Sequence, residues 1–70
     1  MYAEERQLAI AQMVGESGRV AVVDIAERFD VTTETVRRDL SALERMGLVR
    51  RVHGGAVPVT TLAALEAGVG

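Results

Sequence analysis

Two apolar stripes at helical spacing, separated only by Asp30-Val31-Thr32, constrain this chain more than any other feature. Ile25, Ala26 and Phe29 form the first stripe; Val36, Leu40 and Leu43 form the second, with Met46 at its end. Aspartate tolerates the left-handed conformation that ends one helix and turns the chain sharply. Thr32 is an N-cap for the next helix, Val31 and Val36 occupy the two positions of a hydrophobic staple, and Glu34 favours the helix dipole in the first turn. The spacing predicts a helix over 33–46, closed by Gly47 as the residue past its end.

The flanking segments complete the pattern. Ile10, Met13 and Val14 recur at helical spacing and predict a helix over about 4–15, with Gly15 and Gly18 as stop signals; Met13 and Met46 read as core filling. Val20 to Val23 is a β-branched run fit for a short edge strand, followed by a short helix over 24–29 whose start has no capping residue before Val23. Residues 48–53 read as a strand, Gly54-Gly55 as a two-residue link at positive φ, and 56–59 as the returning strand, which Pro58 restricts to an edge. Helix, strand, short helix, tight turn, longer helix and glycine-tipped hairpin together predict a mainly α fold with a small β-hairpin, the winged helix-turn-helix, as a three-helix core plus wing. The expected domain covers 1–58, with the helix-turn-helix at about 20–45 and the wing at 48–58; 59–70 is expected to be a linker or disordered tail.

Composition narrows the function classes. A chain of 70 residues buries only about 60% of its unfolded surface, which leaves little room for a substrate cleft. It has no cysteine and one histidine, His53, so disulfide scaffolds, thiol nucleophiles and histidine or thiolate metal clusters are excluded. No lysine follows Gly54-Gly55 as a phosphate loop would require, and Ser17 or Ser41 with His53 as base has no nucleophile-elbow pattern. No enzyme, cofactor or metal is expected. Two aromatic residues, Tyr2 and Phe29, are too few for a base-stacking platform, and no apolar run approaches the roughly 20 residues of a membrane span.

The net charge of −2 hides an asymmetry. Residues 1–31 carry three arginines against six acids, whereas 32–55 carry five arginines against three acids. Arginine's planar fork suits phosphate and guanine edges. Turning Val36, Leu40 and Leu43 inward puts Glu34, Arg38, Ser41 and Arg45 on the far side of the third helix and Thr33, Thr35 and Arg37 on its flanks. On the wing, Arg50, Arg51 and His53 flank two glycines whose bare backbone can approach a phosphate or minor groove. Charged helix faces are ordinarily solvated, and Glu34 or Asp39 could hold Arg38. Within the turn, cap and wing, Arg37 reads as a base reader, Arg38 is divided between the two roles, and Asp39 reads as structural, neutralising an arginine or bracing the wing.

The run Val31-Thr32-Thr33-Glu34-Thr35-Val36-Arg37-Arg38-Asp39-Leu40, with Arg51-Val52-His53-Gly54-Gly55-Ala56 after it, resembles the DNA-binding domain of the DeoR family of bacterial transcriptional regulators. The resemblance covers about residues 4–58. It implies a cytoplasmic regulator, in most cases a repressor of carbohydrate or nucleoside metabolism genes, that binds a double-stranded DNA operator. It also implies a phosphorylated-sugar effector, bound by a larger C-terminal oligomerising domain that these 70 residues do not include; alone they are expected to be monomeric or weakly dimeric. By position, Thr32, Thr33, Thr35, Arg37, Arg38 and Ser41 fall in the recognition helix and Arg51, His53, Gly54 and Gly55 in the wing. Asp30 stands where the family often has glycine or asparagine. Two alternatives are a winged-helix protein-interaction module, which would expose an apolar patch absent from residues 33–45, and a GntR-type DNA-binding domain, which shares the capped recognition helix but usually not the Arg-Arg-Asp-Leu run with Val-His-Gly-Gly-Ala.

Overall fold

The computed structural model describes residues 2–59, so the expected tail beyond them lies outside the described residues. The elements are α1 (Ala3–Ser17), β1 (Val20–Ala21), α2 (Val22–Phe29), α3 (Thr33–Arg45), β2 (Val49–Val52) and β3 (Gly55–Pro58). Helices α1, α2 and α3 enclose an apolar centre of Ile10, Val14, Val22, Ile25, Ala26, Val36, Leu40 and Leu43, and the small sheet closes it with Val20, Val49 and Ala56. The stripe of α3 is fully buried at Val36, Leu40 and Leu43, so truncating Leu40 to alanine would cost about 2–5 kcal/mol.

Both ends of the helix-turn-helix follow from local chemistry. Asp30 adopts the left-handed conformation at φ 54° and ψ 50°. Its N–H reaches the Glu27 carbonyl at 3.3 Å and the Val31 N–H reaches the Ala26 carbonyl at 3.0 Å, the paired bonds of a Schellman ending. Val31 then packs, partly buried, against the core to which Val36 belongs. Helix α3 ends the same way: Gly47 sits at φ 76°, with its N–H on the Glu44 carbonyl and the Leu48 N–H on the Leu43 carbonyl, each at 3.0 Å.

Several expectations from the sequence need correcting. Gly15 does not stop α1, which runs on to Ser17 and ends at Gly18 with φ 86°; burial of neighbouring Val14 outweighs the about 1 kcal/mol that glycine costs inside a helix. Helix α2 starts at Val22 rather than Asp24, leaving only two residues to β1. No side chain caps that start. Instead the Val22 N–H donates to the Gly54 carbonyl at 2.8 Å, so a residue 32 positions later in the chain satisfies a first-turn donor. Met46 is 55% exposed and is not core filling, because the Schellman turn carries the chain away from the core there.

The hairpin also differs from its expected form. Val52 pairs with Gly55, so the two-residue link is His53-Gly54 and only Gly54 has positive φ, at 74°. Strand β3 is the centre of a three-stranded sheet in the order β1-β3-β2, not an edge. Pro58 is tolerated because β1 pairs only with Gly55 and Ala56. By the alternation of an antiparallel ladder, the proline nitrogen faces the side where β1 has already ended.

Candidate nucleic-acid interface

The N-terminus of α3 is organised by its own threonines. The Thr32 oxygen accepts the Thr35 N–H at 3.1 Å, and the Thr32 hydroxyl donates to Thr35 Oγ1 at 3.0 Å. Thr32 thus spends both functions on the cap, while Thr35 keeps its own hydroxyl proton for another acceptor. Thr33 is half-buried on the first turn.

Thr33, Arg37 and Ser41 lie four residues apart and form one row along the helix. Arg37 is exposed, and among the described residues it enters no ion pair. Arg38 is also exposed; its guanidinium stands 3.9 Å from Glu34, with both side chains more than three-quarters exposed, a pairing too long and too solvated to hold it.

Ser41 departs from its expected place on the solvent side. Its hydroxyl donates to the Arg37 carbonyl at 3.0 Å and accepts from Arg51 Nη1 at 2.8 Å, which leaves it half-buried beneath the wing arginine. Arg51 is held a second time through its main chain, where its N–H donates to Glu44 Oε2 at 3.0 Å. The head of Arg51 therefore belongs to the α3 face rather than to the tip of the wing.

At the tip, His53 is exposed and Gly54 meets open space where a side chain would project. Gly55 does not share that position and leaves the set of groove-facing candidates. It is buried, and a Cβ there would run into the Val20 carbonyl oxygen and lie 3.2 Å from its carbon and 3.3 Å from the Ala21 Cα. Its missing side chain serves the close approach of β1 and β3.

Asp39 is structural, as expected, and of the two expected roles it takes the first: it neutralises an arginine, Arg6 of α1, and does not brace the wing. It is 2% exposed and takes the Arg6 Nε and Nη2 together with Gln7 Nε2, the latter two at 3.1 Å. Arg6 thereby cancels the charge of an acid that would otherwise repel phosphate from within α3, and Gln7 adds a neutral hydrogen bond to it. The hydrogen bond to Asp39 raises the Arg6 pKa against the opposing effect of burial, and the charge of Asp39 adds to the rise. Sequence reasoning missed this cluster and the Glu44 bond. Arg6 and Asp39 are 33 positions apart, with no local pattern to link them.

Among the described residues, no group of three or more histidine, cysteine or acidic side chains could hold a metal ion, and no helix is long and apolar enough to cross a membrane. Among the described residues, Tyr2, Leu8, Val23, Met46 and Leu48 are the large apolar side chains left exposed, all outside 33–45. Leu8 and Met46 border a groove of about 330 Å³ with Glu4 and Gln7, between α1 and the end of α3.

A family model described as a DeoR-like helix-turn-helix domain matches residues 6–61. The chain is 44% identical over 52 residues to an L-fucose operon activator of Haemophilus influenzae, covering 74% of this chain and 21% of that protein. It is 43% identical over 56 residues to a lactose phosphotransferase system repressor of Streptococcus mutans, covering 80% and 22%. It is 46% identical over 55 residues to a putative galactitol utilization operon repressor of Escherichia coli, covering 79% and 49%. The chain thus spans about a fifth of the first two relatives and about half of the third. No solved structure matches.

Proposed function

Because the chain belongs to the family of DeoR-like helix-turn-helix domains, we propose that it binds double-stranded DNA sequence-specifically to regulate transcription, with α3 in the major groove and the wing on the phosphate backbone. The observation that carries this is the exposed Arg37 on the row from Thr33 to Ser41, with the Arg51 head docked at the end of that row. A groove-reading helix needs donors on the face opposite its packing stripe, and an α3 whose only buried acid is neutralised from behind supplies them. An interaction module would put apolar residues on α3, and the exposed ones lie elsewhere.

In this reading Thr32, Thr33, Thr35, Arg37, Arg38 and Ser41 line the duplex-facing helix, while Arg51, His53 and Gly54 meet its backbone. The domain acts by binding, without catalysis. The names of the three relatives, one an activator and two repressors of sugar-utilisation systems, support a role in controlling carbohydrate genes, and we assign repression as the sign. Control by a phosphorylated sugar would reside in residues beyond these 70.

The test is a titration of the wild type, Arg37→Ala and Arg51→Ala on a duplex selected by the chain from a random pool and on its scrambled counterpart. Arg37→Ala is expected to lose about 1–3 kcal/mol on the selected duplex and to lose preference for it. Arg51→Ala is expected to weaken both duplexes alike and to reduce the salt slope by about one ion. Equal losses on both duplexes for Arg37→Ala would refute base reading by α3.

A further inference from the structure

The acid Glu44 lies exposed on α3, on the flank that carries Arg37 and Ser41, where a carboxylate should oppose the approach of phosphate. Its contact explains its presence. In the register of β2 and β3, Val52 and Gly55 flank the two-residue turn as a hydrogen-bonded pair, so Arg51 and Ala56 form the next, non-hydrogen-bonded pair. The Arg51 N–H therefore points away from β3, off the outer edge of the sheet. Strand β2 is that edge, and nothing in the sheet can satisfy the donor. Glu44 Oε2 accepts it at 3.0 Å. One residue of α3 thus fastens the edge of the wing, while Ser41, one turn earlier, fastens the guanidinium of the same Arg51 at 2.8 Å.

We propose that Glu44 is a positioning residue for DNA binding: by accepting the outward N–H of Arg51 it locks the wing to α3 and, with Ser41, presents the Arg51 head to the duplex beside Arg37. The proposal rests on the DNA-binding reading above. Its physical content is preorganisation. A long arginine left loose on a short hairpin must be immobilised on binding, and a backbone clamp with a side-chain rest removes part of that cost in advance. The carboxylate's partial engagement with a backbone donor also lessens its repulsion of phosphate. At the other side of the wing, the Val22 N–H bond to the Gly54 carbonyl ties the turn to α2, so the hairpin is held from both sides.

The experiment measures binding of Glu44→Ala and Glu44→Gln, alone and combined with Arg51→Ala, to a fluorescein-labelled duplex that the wild-type chain selects from a random pool. Hydrogen exchange of the Arg51 amide is followed in the same proteins. Simple electrostatics predicts that removing an acid near phosphate tightens binding. Positioning predicts the opposite sign: Glu44→Ala weakens binding about fivefold, the scale of one ordinary net hydrogen bond. Glu44→Gln, which keeps an acceptor oxygen, recovers most of that loss. The Arg51 amide exchanges faster in Glu44→Ala, and in the Arg51→Ala background, which keeps the backbone N–H but has no guanidinium to present, the cost of Glu44→Ala falls. Thermal melts separate this from unfolding, since a purely structural loss would persist in that background. Ser41→Ala, which leaves the backbone bond intact, is the second variant and should weaken binding only while Arg51 is present. Tightening by both Glu44 variants, equal weakening by both, or an undiminished effect of Glu44→Ala without Arg51 would overturn the proposal while DNA binding stands. Failure of the wild type to bind any duplex in the pool would overturn the underlying reading instead, whatever the amide exchange shows.

Discussion

Replacing Asp39 with alanine should destabilise the domain far more than any other charge removal on α3. The carboxylate is 2% exposed and is satisfied by Arg6 and Gln7, and the Arg6 side chain is itself only 16% exposed. Breaking a fully buried pair by removing one partner costs about 3–5 kcal/mol, because the other charge is left desolvated. Arg6 retains a path to water, which lowers the figure to about 2–3 kcal/mol. The domain's whole stability should be only about 4–10 kcal/mol, so this is a large part of it. At about 4–8 °C per kcal/mol for a chain of this size, the melting temperature should fall by about 10–20 °C. The assay is urea and thermal unfolding by far-ultraviolet circular dichroism for Arg6→Met, Asp39→Ala and the double variant. The double variant should be little worse than Asp39→Ala, because the stranded cation is gone. A loss below about 0.5 kcal/mol for Asp39→Ala, or strictly additive effects, would refute the claim that this pair pins α1 to α3. The pH dependence has a defined sign. A cation whose folded pKa is raised contributes stability that is present below its unfolded value and lost only as pH rises through the folded one. For a guanidinium that window lies at strongly alkaline pH, so the Arg6 contribution should stay constant through neutrality.

Two further substitutions separate local from tertiary effects. Thr32→Ala removes the cap on Thr35 and should cost about 1 kcal/mol in urea unfolding, whereas Thr32→Ser should be nearly neutral; equal losses would count against capping. Gly55→Ala should cost about 1–3 kcal/mol because the new methyl meets the β1 backbone, which is not a flexible side chain that can turn aside. Gly54→Ala meets open space and should lose about 1 kcal/mol through its left-handed backbone alone. Thermal melts in which Gly55→Ala is harmless would contradict the packing assigned to that strand.

What could be read from the residue order was whatever is settled within a few positions. The Asp30 turn, the Thr32 cap, the stripe of Val36, Leu40 and Leu43 and the Gly47 ending all follow from interactions between near neighbours, and the structure reproduces each. The extent of α1 past Gly15, the exposure of Met46 and the central place of β3 were not legible, because each depends on what other segments bury or pair.

The candidate interface divides along the same line. The chain's own order determined which side chains α3 offers, since helical periodicity and the apolar stripe dictate which residues point away from the core. Only the folded molecule decided how those side chains are engaged: Arg6 on Asp39, Arg51 on Ser41, Glu44 on an edge amide, and the Val22 amide on the wing turn. These contacts join positions between 7 and 33 residues apart, and a hydrogen bond across such a separation exists only after the apolar core has brought the segments together.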